Sequence, residues 1–183
     1  MSFKSFNETL KKIETSEKFK NFKSNNSDAE LCAGFFILDF LGRDNKYSLD
    51  YKLGEKIFTF NLMEDNSVTI QEDKLIDIPQ GSENKQIINL EKIKPGVVID
   101  LNELKTAAEL KAIDNGIRSR IQKIIAILQT YKGEETKNKK TQVWNLTCIL
   151  DSLIILHIII DSKTGKVLKF GKNSLSDMFR KAA

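Results

Sequence analysis

Histidine, cysteine and arginine are scarce in this chain of 183 residues, and each scarcity removes a class of chemistry. His157 is the sole histidine, so mechanisms that need two imidazoles are excluded. A Ser-His-Asp or Cys-His site would have to be assembled around that one side chain. It lies within Leu153-Ile154-Ile155-Leu156-His157-Ile158-Ile159-Ile160, a setting that predicts a satisfied core or edge histidine rather than a base. Cys32 and Cys148 stand singly inside apolar runs, without CxxC or CxxH spacing, and are read as buried free thiols. No glycine-rich phosphate loop, HExxH or GxSxG motif occurs. The sequence therefore nominates no catalytic, cofactor-binding or metal-binding residue.

Arginine occurs only at Arg43, Arg118, Arg120 and Arg180. The net charge of +4 comes from 29 basic and 25 acidic residues whose signs are interleaved. Lysine lacks the planar fork that suits phosphates and base edges, so nucleic acid is a disfavoured partner. The run from Leu153 to Ile160 is far shorter than the ~20 residues that cross a bilayer, which predicts no membrane span. The start, Met1-Ser2-Phe3-Lys4-Ser5-Phe6-Asn7-Glu8, has no apolar stretch of secretory type, and a cytoplasmic location is expected.

What is abundant is patterned apolar sequence: 40% of positions are hydrophobic and 30% charged, enough to bury a substantial core. Phe3, Phe6, Leu10 and Ile13 recur at helical spacing behind Ser5 and Glu8, a capping pair. Ser16 opens a second turn carrying Phe19 and Phe22. Leu31 to Phe40 is apolar at nearly every position and predicts a strand covered on both faces. Tyr47, Leu49, Tyr51 and Leu53 alternate with polar residues, as in a strand with one wet face. Gly54 turns the chain into a strand at Ile57 to Leu62, and Glu64 to Ser67 connects it to a short fourth strand with Val68 and Ile70. Turn formers between Pro79 and Pro95 mark the best internal boundary.

Beyond it, Asp100 and Glu103 open a helix whose apolar spacing, from Leu101 through Ile113 to Ile124 and Leu128, continues to about Tyr131, with Asn115-Gly116 as a point where it can split. A charged loop from Lys132 to Lys140 precedes strands at Gln142 to Leu150, Leu153 to Ile160 and Lys166 to Phe170. Asp161-Ser162-Lys163-Thr164-Gly165 is a hairpin, with Gly165 free to take a positive φ. A terminal helix is expected after Asn173 or Ser174, carrying Leu175, Met178 and Phe179. The expected fold is α+β, with two similar units, each a helix followed by an antiparallel β-meander, over residues 1–95 and 96–183. A duplication is suspected.

The segment from Trp144 through Asp161-Ser162-Lys163-Thr164-Gly165-Lys166-Val167 resembles the end of a PepSY-like unit, where a helix precedes a meander and an Asp-x-x-Thr-Gly turn precedes the last strand. The resemblance spans residues 96 to 172. It implies binding of a small molecule, peptide or protein and regulation of partner enzymes, without an active site. Trp144, Tyr47 and Tyr51 are the candidate binding surface, because aromatic rings give large contact area at modest entropic cost. The expectation is a non-enzymatic binding or regulatory module for an unknown protein or peptide partner, with no cofactor. The alternatives are an enzyme with an acidic or hydroxyl site, revealed by a deep pocket of converging carboxylates, and a lysine-driven RNA or ribosome binder, revealed by a lysine face with exposed aromatics.

Overall fold

In the computed structural model, residues 3–42, 44–74, 91–152 and 154–174 are described. In chain order they form α1 (Phe6–Thr15), α2 (Glu17–Asn25), β1 (Glu30–Asp39), β2 (Lys46–Leu53), β3 (Lys56–Leu62) and β4 (Val68–Lys74). Then come α3 (Leu101–Asp114), β5 (Ile121–Tyr131), a 3-10 turn at Glu134–Thr136, β6 (Thr141–Leu150), β7 (Ile154–Asp161) and β8 (Val167–Ser174). The fold is α+β. The strands make one 8-stranded sheet in the order β4-β3-β2-β1-β5-β6-β7-β8, with every neighbouring pair antiparallel.

The helix starts follow the local signals. Ser5 accepts the Glu8 N–H at 3.0 Å, and Ser16 accepts the Phe19 N–H at 3.2 Å. These side chains satisfy donors that the first helical turn leaves without partners. Asp100 and Glu103 form a reciprocal capping box on α3. The same Asp100 carboxylate accepts the N–H of Phe6, the first residue of α1, at 2.8 Å. Asn102 accepts from the Phe3 N–H at 2.9 Å and donates to its carbonyl at 3.0 Å. One carboxylate and one amide thus lock the starts of two helices together.

All three helices among the described residues contribute side chains to the core over one face of the sheet: Phe6, Leu10 and Ile13 from α1, Phe19 and Phe22 from α2, and Leu101, Leu104 and Ala108 from α3. Opposing them are Phe36, Leu38, Leu49, Phe60, Ile124, Leu128, Leu146 and Ile158. Burial of each large apolar side chain is worth about 1.5–3 kcal/mol. No helix of the described residues is long and apolar enough to cross a membrane.

Two expectations change. The spacing from Leu101 to Tyr131 reads as one helix, but α3 ends at Asp114, Gly116 takes φ 74°, and residues from Ile121 are strand. Glycine in the left-handed region closes a helix. The β-branched Ile121, Ile124, Ile125 and Ile127 favour a pleated surface, and a segment apolar at nearly every position fits helical and strand periods alike. At the other end, β8 runs past Phe170 to Ser174, so Asn173 sits in a strand rather than at a helix cap. The terminal helix with Leu175, Met178 and Phe179 lies outside the described residues, as does most of the turn-rich boundary. The described end of that boundary carries the buried Ile93, whose N–H donates to the Leu31 carbonyl at 2.9 Å.

Candidate functional site

Directly opposed residues of antiparallel strands share a face, so the register fixes what each side of the sheet displays. On the helix side stand Phe36, Leu38, Ala126 and Ile124 of β1 and β5, all fully buried. The alternate residues form the opposite face. Phe35 pairs with Ile127, and Ile37 with Ile125, making a two-strand apolar seam. All four are partly exposed, and none packs against the main core. Among the described residues no helix crosses this seam. The sequence reading of β1 as covered on both faces is therefore corrected: its second face is half open.

Polar lines flank the seam. On β2, Lys46 lies beside Ile37 and Ser48 beside Phe35. On β6, Thr147 lies beside Ile125 and Asn145 beside Ile127. The Ser48 hydroxyl donates to Asn61 Oδ1 at 2.7 Å, and Thr59 donates to Asp50 Oδ1 at 2.7 Å. One end of the seam closes on an ion pair, Lys123 Nζ to Asp39 Oδ2 at 3.6 Å, with Asp44 at 3.3 Å. Asp39 also accepts the N–H groups of Gly42 and Leu41, and these bonds hold its carboxyl below the usual carboxylate range.

The far side of the same face is covered. The turn after β5 reaches β8 through Glu135, whose carboxylate is 3.0 Å from Lys169 Nζ and accepts the Tyr131 hydroxyl at 2.7 Å. These partners pull the Glu135 carboxyl down to about 2, while burial and the adjacent carboxylate push the Tyr131 phenol up to about 12. Val143 and Ile159, which share this face, are correspondingly buried. A Cβ at Gly133 would collide with the Tyr131 hydroxyl, so any other residue there would require the Tyr131 or Glu135 side chain to shift.

The structure places Trp144, Tyr47 and Tyr51 on the helix side, within the core. Trp144 is fully buried, donates from Nε1 to the Ile99 carbonyl at 2.8 Å and stacks edge-on near Phe6 and Phe36. Tyr51 packs on Phe19 and Phe60 and donates to Glu14 Oε1 at 2.9 Å. Tyr47 packs near Phe36, and Lys4 Nζ sits 5.5 Å above its ring. These aromatics anchor helices instead of presenting an open surface, because apolar area and a single satisfiable polar atom suit a core as well as an interface. Tyr47 alone reaches a cleft, of about 420 Å3, shared with Lys4, Lys46, Ser48, Asn61 and Thr69.

His157 is exposed on the open face, opposite Gly171, with Nδ1 3.4 Å from Thr147 Oγ1. That separation is long for a hydrogen bond and pairs the ring with no acid. The expectation of a core or edge histidine is corrected: β7 is paired on both sides, and its alternation turns His157 away from the helices. Cys32 and Cys148 are free and buried, and burial pushes both thiols up to about 12. Among the described residues no group of His, Cys, Asp or Glu is arranged to hold a metal ion. The seam residues went unnoticed as a site in the sequence, although the signal was present: an antiparallel strand apolar on both faces has a second face to cover.

No family profile and no curated protein sequence matches this chain. Among solved structures, that of a "putative lipoprotein" from Clostridium difficile 630 aligns with 94% of this chain and 96% of its own, with a TM-score of 0.56 and 15% identity. At that identity the similarity is one of fold.

Proposed function

We propose that the chain is a non-enzymatic binding module that takes a protein or peptide segment on the open face of its sheet. The observation that carries this reading is the seam of Phe35, Ile37, Ile125 and Ile127, partly exposed between polar lines. A contiguous apolar patch rimmed by polar residues is the usual mark of an interaction surface. None of the four seam residues lines a described cleft, whereas small molecules favour clefts that enclose most of their surface. The described clefts also lack converging carboxylates: Glu109 and Asp151 share theirs with Lys105 and Arg120. The exposed large apolar residues include no aromatic ring on which a base could stack, among those described.

The same reading includes two similar units. Each half of the strand order is a meander preceded by a side-chain-capped helix, and the first strands of the two meanders pair in the middle of the sheet. The Asp161 turn, with its carboxylate accepting the Lys163 and Thr164 N–H groups, supports a PepSY-like second unit. Screening a random peptide library against the wild-type chain and an Ile37→Ser/Ile125→Ser variant tests the site. Selected peptides should lose about tenfold or more in affinity for the variant, a loss consistent with two truncated apolar contacts. Peptides that bind both equally, or a library that yields no binder, would overturn the proposal.

A further inference from the structure

One row of the open face runs across β1, β5, β6, β7 and β8. Asp39 opposes Lys123, Lys123 opposes Ile149, Ile149 opposes Ile155, and Ile155 opposes Asn173. Ile149 and Ile155 are partly exposed, and neither belongs to the main core or to the side chains packed against it. The far end of the row carries Lys123 Nζ between Asp39 and Asp44, at 3.6 and 3.3 Å. Among the described ion pairs, these two carboxylates share one ammonium group.

The chain itself leaves the sheet at the near end of this row. Asn173 is the penultimate residue of β8, and the sequence continues Leu175-Ser176-Asp177-Met178-Phe179-Arg180-Lys181. Leu175, Met178 and Phe179 stand at i, i+3 and i+4, on one side of a helix, and two cations follow directly. Adjacent strands lie about 4.8 Å apart, so from β8 the row reaches Ile155 at about 5 Å, Ile149 at about 10 Å and Lys123 at about 14 Å. Seven helical residues rise about 10 Å. That length sets Met178 and Phe179 over the two isoleucines and brings the long side chains of Arg180 and Lys181 to the carboxylates.

Residues 75–90 connect points remote from this row. Before them, Lys74 of β4 opposes Lys56. After them, Lys92 pairs with Glu30 and the Ile93 N–H donates to the Leu31 carbonyl, at the opposite end of β1 from Asp39. The row therefore lies within reach of one continuation of the chain and away from the other.

We propose that residues 175–181 fold back across this row, with Leu175, Met178 and Phe179 on Ile155 and Ile149 and with Arg180 and Lys181 at Asp39 and Asp44. The segment closes the β8 side of the open face at this end, as the Glu135 turn closes it at the other. The seam of Phe35, Ile37, Ile125 and Ile127 stays open beside both.

Urea unfolding of the full chain tests this. Phe179→Ser should raise the unfolding equilibrium constant about tenfold, the effect of one docked apolar side chain. Arg180→Glu/Lys181→Glu should raise it about threefold at low salt and less at high salt. In an Ile149→Thr/Ile155→Thr background, which keeps β-branched residues in the strands, Phe179→Ser should change the constant less than about twofold, because the contact is already gone. Amide chemical shifts of the wild type and Phe179→Ser need no altered background, and their differences should reach Ile155, Ile149 and Lys123. An unchanged constant for Phe179→Ser, full additivity with the background, or shift differences confined to β8 or to the helices would each overturn the proposal. A midpoint that rises with protein concentration, and loses that dependence in Phe179→Ser, would give the row to the segment of a second copy and overturn it as well.

Discussion

Gly165 shows how a single residue answers to backbone geometry alone. It takes φ 70° in the Asp161 turn, and a Cβ placed on it meets nothing within 4 Å. Any penalty on substitution is therefore conformational. Gly165→Val should cost roughly 1–3 kcal/mol and Gly165→Asn less, since asparagine tolerates the left-handed region. Urea unfolding with an unchanged slope would read the difference, and equal midpoints would remove the turn's requirement for glycine. Glu135 answers to charge. Its carboxyl lies near 2 in the fold against an ordinary 4.5. Between those values the unfolded chain binds more protons, so the stabilisation is whole above about 4.5 and fades as pH falls toward 2. Glu135→Gln should be less stable at pH 7 and show a shallower loss across that window. A wild-type slope retained by the variant would place the acid sensitivity elsewhere.

Elements succeed or fail by what covers them. Phe36 and Ile158 are expected to be buried from the apolar runs that hold them, and both are fully buried against the helices. Phe36→Asp or Ile158→Asp should cost about 3–5 kcal/mol through an uncompensated buried charge. Guanidinium or urea denaturation measures it, and an unchanged midpoint for both would contradict the core assignment. The α1, α2 and α3 starts were legible because Ser5, Ser16 and Asp100 act on donors a few residues away. The change from α3 to β5 was not. Ile117, Ile121, Ile124 and Leu128 satisfy a helical period, and only pairing of β5 with β1 and β6 selects the strand.

For the whole molecule, the decisive contact is the β1 and β5 pairing, since it merges strands from both sides of residue 95 into one sheet. Strands bonded on both edges, beneath packed helices, open last. Hydrogen exchange should therefore be slowest in β1 and β5 and fastest in the edge strands β4 and β8. Exchange of β1 and β5 as fast as the edges would mean that residues 1–95 and 96–183 open as separate units.

Caps, hairpins and core positions were settled by sequence, because each depends on residues close along the chain or on a side chain's own aversion to water. Ser5, Ser16, Asp100, Gly54 and Gly165 are cases of the first kind, and Phe36 and Ile158 of the second. Which face of an apolar strand is sealed and which stays open depends on partners distant in sequence. By sequence Trp144 reads as a candidate surface residue and Phe35 as part of a strand covered on both faces. Register and helix placement put the indole under α1 and left the seam of Phe35, Ile37, Ile125 and Ile127 exposed, a choice made only when two halves of the chain met edge to edge.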